Sequence, residues 1–151
     1  DSMKLAGYIA EGLAFYRPQV CFIEGNGLGG PIIDRLRQLG WSDVVIEVNP
    51  GTRLKESESD CFNNRSLWWN LLRTAMEQGM ELPEDTELDS QLTMVEYGYD
   101  EKTLQLKLQS KEEMDYSPDR ADQLALTFCQ GNVVVLDKYT QPLEMAYLGC
   151  V

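Results

Sequence analysis

The chain has 151 residues, a net charge of −12 and no histidine. Its length suits one domain with a core of ordinary size, and no apolar run approaches the roughly 20 residues that span a bilayer. The acidic balance argues against a module that coats nucleic acid by neutralising phosphates, and the lack of histidine removes the usual Ser-His and Cys-His machinery, leaving carboxylates, lysine or a metal to carry any catalysis.

The first residue is Asp1 rather than Met, and the chain opens on a helical pattern with no signal peptide, so it reads as a fragment or processed piece. Asp1 and Ser2 suit the cap of a helix over about Met3 to Phe15, with Leu5, Ile9, Leu13 and Tyr16 on one face and Pro18 as its stop. Val20 to Glu24 reads as a buried central strand that runs into Gly25-Asn26-Gly27-Leu28-Gly29-Gly30. Pro31 suits a first helical turn, and Ile32, Ile33, Leu36 and Leu39 form the stripe of a helix up to Gly40. Val44 to Val48 is a second apolar strand, closed by Asn49, Pro50 and Gly51. This strand–helix–strand unit predicts a parallel pair with a right-handed crossover.

Residues 51–64 are polar and read as a mobile loop. Arg65 to Met80 predicts a helix with Leu67, Trp68, Leu71, Leu72, Ala75 and Met76 inward; Trp69 points elsewhere and is free to lie under the loop. A short helix follows from Pro83 through Leu92, then a hairpin of Met94 to Tyr99 and Leu104 to Gln109 about Asp100, Glu101 and Lys102. Ser117 suits the cap, Pro118 the first turn and Asp119 the positive end of a last helix reaching about Gln130. Val133 to Leu136 reads as a short strand before a C-terminal tail. Cys21, Cys61, Cys129 and Cys150 form no CxxC pair, so zinc is not expected; Cys21 and Cys129 lie in apolar runs as reduced core residues, which fits a cytoplasmic setting.

Two constellations carry possible chemistry. Gly25, Gly27 and Gly30 fit G-x-G-x-x-G between a strand and a helix, with Glu47 where an acid would hold a ribose. Against this, Glu24 puts a negative charge beside the pyrophosphate position, and a helix precedes the strand. The second is a carboxylate set. Asp119 and Asp122 share one helical face, and the apolar Ala121, Leu124, Ala125 and Phe128 hold that helix to the core. If it packs beside the first strand, Glu24 joins them, and clustered acids call for a divalent cation. The plain alternatives are a packing turn at the glycines, a helix-start acid at Asp119 and a solvated one at Asp122. Arg65 and Lys111 are candidate DNA contacts: Arg65 would meet phosphate, with a solvated or ion-paired side chain as the default, and Lys111 precedes the Asp119 segment where it would face a metal site.

The ordered blocks IEGNGLGGPIIDRLRQLG, IEVNPG, FNNRSLWWNLL, ELPEDTELDSQL, EYGYDEKTLQLKLQSKEEM and SPDRADQLALTF resemble the C-terminal nuclease domain of tailed-bacteriophage terminase large subunits. The resemblance runs from about Asp1 to Phe128. It implies an α/β fold of ribonuclease H-like type, a mixed sheet flanked by helices, over residues 1–136, without the N-terminal strands, and a tail over 137–151. It implies a metal-dependent endonuclease that cuts concatemeric viral DNA with two Mg²⁺ or Mn²⁺ ions. By the same resemblance Glu24, Asp119 and Asp122 are the catalytic metal ligands. The family's Asp on its first strand has no counterpart here, and the link from Met114 to Ser117 is shorter than the family's. Implied partners are double-stranded viral DNA, the terminase ATPase domain, the small terminase subunit and the portal protein, in the cytoplasm of a bacterial host and without a membrane. The other readings are a nucleotide-binding module on GNGLGG and an inactive ribonuclease H-like docking domain.

Overall fold

The computed structural model describes residues 1–129. The strand expected at Val133 to Leu136 and the tail over 137–151 lie outside these residues. The described chain is mixed α/β, with helices α1 (Ser2–Tyr16), α2 (Gly29–Leu36), α3 (Asn64–Glu77), α4 (Thr86–Met94) and α5 (Asp119–Leu126). Its strands are β1 (Cys21–Glu24), β2 (Val45–Val48), β3 (Tyr97–Tyr99) and β4 (Leu106–Leu108). No described helix is long and apolar enough to cross a membrane.

Asp1 caps α1, its carboxylate accepting from Met3 N at 3.0 Å. The buried stripe of α1 is Ala6, Ile9, Ala10 and Leu13, so the predicted stripe is shifted and Leu5 and Tyr16 are exposed. The helix closes against α2, whose Ile32, Ile33 and Leu36 are buried. Between β1 and α2 the chain turns through Gly27, at φ 61. A Cβ at Gly29 would run into the Glu24 carbonyl oxygen, so this position requires glycine for close approach of helix and strand. One wide turn, Arg37–Trp41, follows α2 and replaces the last turn of the predicted helix.

β1 and β2 pair in parallel as expected, with Glu24 opposite Val48. Side chains alternate along each strand. Cys21, Ile23 and Val45 join the cluster of α1 and α2. Phe22, Ile46 and Val48 join a second cluster built from Trp68, Trp69 and Leu72 of α3 and Ala121 and Ala125 of α5. Burial of one large apolar side chain such as Leu36 or Leu72 contributes about 1.5–3 kcal/mol, whereas one ladder hydrogen bond contributes about 1 kcal/mol net. The two clusters therefore hold the layers together more than the short ladders do.

The sheet departs from the expected single mixed sheet. β3 and β4 form their own antiparallel pair and do not join β1 and β2. The far edge of β4 is taken by another segment. There Phe62 N donates to Leu106 O at 2.9 Å and Leu106 N to Asp60 O at 2.8 Å, so the 51–64 segment occupies that edge. The same contacts correct the mobile loop. Gln105, which is buried, donates from Nε2 to Ser59 O and Cys61 O at 2.9 Å, and Arg53 lies over the Phe62 ring, 3.3 Å from its centroid. The segment is rich in turns yet tethered. The hairpin strands are shorter than predicted because Met94 completes α4 and Asp100 closes a wide loop, accepting from Thr103 N at 3.0 Å.

Gly29→Ala should cost about 3 kcal/mol, because the carbonyl it meets is backbone and cannot swing away; urea unfolding followed by circular dichroism reads this directly. A second expectation concerns acid. The backbone N–H of Thr103 holds the Asp100 carboxyl below its ordinary value of 3.8, as that of Leu88 does for Asp85. A carboxyl depressed by folding stabilises the fold above its unfolded value and loses that contribution as pH falls through the folded one. The thermal midpoint of Asp100→Asn should therefore lie below the parent's at pH 7 and converge on it below about pH 4.

Candidate functional site

The end of β1, the start of α3 and the first turn of α5 meet around a cavity of about 220 Å³. Strand parity brings Glu24 there. It lies on the same face as Phe22, toward α3 and α5, and its Oε1 accepts from Asn26 Nδ2 at 3.3 Å. Asp119 and Asp122 come from α5 and Lys111 from the single 3₁₀ turn Lys111–Glu113. The structure thus brings all five predicted site residues, Glu24, Arg65, Lys111, Asp119 and Asp122, to one cavity.

Their surroundings differ sharply. The Asp122 side chain is 16% exposed and Arg65 is 12% exposed. Asp122 Oδ1 accepts from Arg65 Nε at 2.9 Å and from Trp69 Nε1 at 2.8 Å. Arg65 Nη1 also donates to Gln109 O at 3.0 Å. Arg65 is therefore an internal partner of Asp122, which is the ion-paired alternative and not a free phosphate contact. Trp69 is likewise buried against α5 and not under the 51–64 loop, because an enclosed indole N–H needs an acceptor and Asp122 supplies it.

Asp119 is open to solvent, with 70% of its side chain exposed. Its Oδ1 accepts from Ser117 Oγ at 2.6 Å. This replaces the predicted Ser117 cap, since α5 starts at Asp119 and Pro118 offers it no side-chain bond. The cap comes instead from α4. The buried Gln91 accepts through Oε1 from Arg120 N at 2.8 Å and Ala121 N at 3.2 Å. Gln91 was not predicted to bear on the site; its one sequence signal is a polar residue placed among the apolar positions Leu88 and Leu92.

Lys111 bridges the two aspartates. Its Nζ lies 2.8 Å from Asp122 Oδ2 and 3.9 Å from Asp119 Oδ1. Asp122 Oδ2 is thus enclosed and ion-paired, and Arg65 Nη2 is enclosed with no acceptor among the described residues. Among the described residues no three carboxylate or thiol groups converge tightly enough to hold an ion as they stand.

No family model, curated protein or solved structure matches the chain. The likeness to terminase nucleases rests on the ordered sequence blocks alone. On the nucleotide reading, Glu47 projects from the face of β2 opposite to Glu24, packs over Gly25 and pairs with Arg37 at 3.6 Å. Its carboxylate is thus turned away from the cavity that Glu24 lines.

Removing one partner of a largely buried ion pair strands the other charge. Asp122→Ala should destabilise the fold by about 3 kcal/mol and Trp69→Phe by about 1 kcal/mol. The double variant should lose less than the two together, by roughly 1 kcal/mol, when urea midpoints close the cycle.

Proposed function

We propose that the chain is the divalent-metal-dependent DNA endonuclease domain of a phage packaging terminase, on a ribonuclease H-like scaffold. The observation that carries this reading is that Glu24 from β1 and Asp119 and Asp122 from α5 line the same cavity, without closing to the distances of a single ion site. The donor chemistry supports it. The three side chains offer hard carboxylate oxygens, which suit Mg²⁺ or Mn²⁺. Asp122 Oδ2 is enclosed and already meets one cation, the Lys111 ammonium at 2.8 Å. Glu24, Asp119 and Asp122 would hold the ions; when bound, these supply Lewis-acid activation of water and charge stabilisation at the phosphodiester oxygens.

The chain's own groups prepare that chemistry. Arg65 and Trp69 fix Asp122 Oδ1, while Lys111 faces Oδ2 at 2.8 Å. Glu24 and Asp119 are exposed and reachable by DNA. Lys111, at the same rim, is the cation available to a phosphate. Double-stranded viral DNA, the ATPase domain, the small subunit and the portal protein are the proposed partners, in the bacterial host cytoplasm.

The decisive experiment is nicking of supercoiled plasmid by the full-length native protein in Mn²⁺. Glu24→Ala and Asp119→Ala should each slow nicking by roughly 100-fold or more while circular dichroism stays unchanged. Parental rates in both variants would overturn the assignment.

A further inference from the structure

We propose that the open edge of β3, with the apolar groove beside it, docks an extended peptide segment of a partner protein, apolar at alternate positions and basic at its ends. The inference does not rest on the nuclease reading. Asp100 N donates to Gln105 O and Gln109 N to Glu96 O, each at 2.9 Å, so Glu96, Gly98 and Asp100 are the residues that bond across to the β4 side. In an antiparallel ladder the intervening residues face the other way. Tyr97 and Tyr99 thus present their N–H and C=O groups at the outer edge, and among the described residues nothing meets them. The outer edge of β4, by contrast, is already taken by Asp60 and Phe62.

The side chains agree with the backbone. Tyr97 and Tyr99 share one face with Leu106 and Leu108, and their rings meet edge to face, with centroids 6.4 Å apart. Both tyrosines are exposed. Beside this face, Leu72 and Met76 of α3, Leu92 and Val95 at the end of α4, and Tyr97 itself line an apolar groove of about 510 Å³. That volume is ordinary for a ligand site. A strand added to β3 sends alternate side chains to the groove face, while its main chain bonds to Tyr97 and Tyr99. Main-chain bonds then give affinity, and the groove selects apolar side chains. Charge sets the flanks. Glu96 and Glu101 stand exposed just beyond the two ends of β3, and neither is ion-paired among the described residues. In a chain of net charge −12, basic flanks complement them.

The test is amide hydrogen exchange, read by NMR on the full-length protein, with the peptide Lys-Lys-Thr-Val-Thr-Leu-Thr-Val-Lys-Lys as probe. Without peptide, the Tyr97 and Tyr99 amides should exchange freely while Gly98, bonded to β4, is protected. Saturating peptide should slow exchange at Tyr97 and Tyr99 by roughly tenfold or more. A peptide with proline in place of its leucine should give no protection, and one with glutamates in place of its lysines should bind roughly tenfold more weakly. Tyr99→Pro removes an outward N–H that β4 does not use, so it should keep the parent's circular dichroism and lose peptide binding. The proline peptide carries the same test on unaltered protein if that variant fails to fold. Tyr97 and Tyr99 amides already protected without peptide would show the edge covered within the chain and overturn the proposal. Binding that leaves these amides unprotected, equal protection by the proline or the acidic peptide, or no binding at all overturns it as well.

Discussion

The ion pair between Arg65 and Asp122, with Trp69 as a second donor, is the contact on which the rest of the site depends. It joins the first turn of α3 to the first turn of α5. An acid at the start of a helix gains from the dipole, but exposure and salt make that gain small. Enclosure changes the magnitude: taking a carboxylate out of water is costly unless strong donors replace the solvent. Here two N–H groups converge on one oxygen, and the neighbouring Ala121 and Ala125 let α5 sit close to the tryptophans of α3. Packing and polarity thus enforce each other. The alanines allow the approach, and the approach dries the pair.

α5 has fewer than three full turns, too few to be stable alone. Its start offers no side-chain cap of its own, since Pro118 precedes Asp119. Gln91 closes this gap from α4, and Arg120 returns the tie through its contacts with Asp85 and Glu87. Asp85 in turn caps α4. α4 therefore caps α5, and α5 answers by pairing Arg120 with the acids at the start of α4, which explains why a short, acidic α4 belongs to the architecture at all. The position of Asp119 depends on a glutamine that never touches it.

The sequence made some of this legible and hid the rest for physical reasons. Element order was readable, because Val20 to Glu24 and Val44 to Val48 are continuous apolar runs separated by a periodic stretch. Sheet membership was not. Whether a hairpin joins a parallel pair is decided by what covers its edge, and Gln105 and Asp60 reveal that only in three dimensions. The carboxylates were visible as residue types at a strand end and a helix start. Arg65 and Trp69 share a helical face by their spacing of four, yet nothing local says that an acid far along the chain will meet them. Long-range charge pairs leave no periodic mark. Buried polar hubs such as Gln91 and Gln105 leave even less, since a glutamine among apolar positions reads equally as a surface residue.

The two acids that end β1 and β2 show how strand parity sorts function from structure. Glu24 closes β1, and Glu47 sits one residue before the end of β2. The register sets Glu24 opposite Val48 and Glu47 opposite Ile23, so the acids fall on opposite faces. Glu47 meets the turn after α2, where Arg37 answers its charge, and Gly25 leaves room for its carboxylate. Glu24 meets α3 and α5, where Arg65 and Lys111 already serve Asp119 and Asp122. Among the described residues Glu24 is therefore the acid in this cavity without an ion pair; its Oε1 accepts from the neutral Asn26. A uniformly acidic chain would scatter such unpaired acids over its surface, where water satisfies them. This one stands at the rim of a cavity whose two cations are already engaged by the aspartates of α5, so strand parity, and not charge pairing, is what brings Glu24 there.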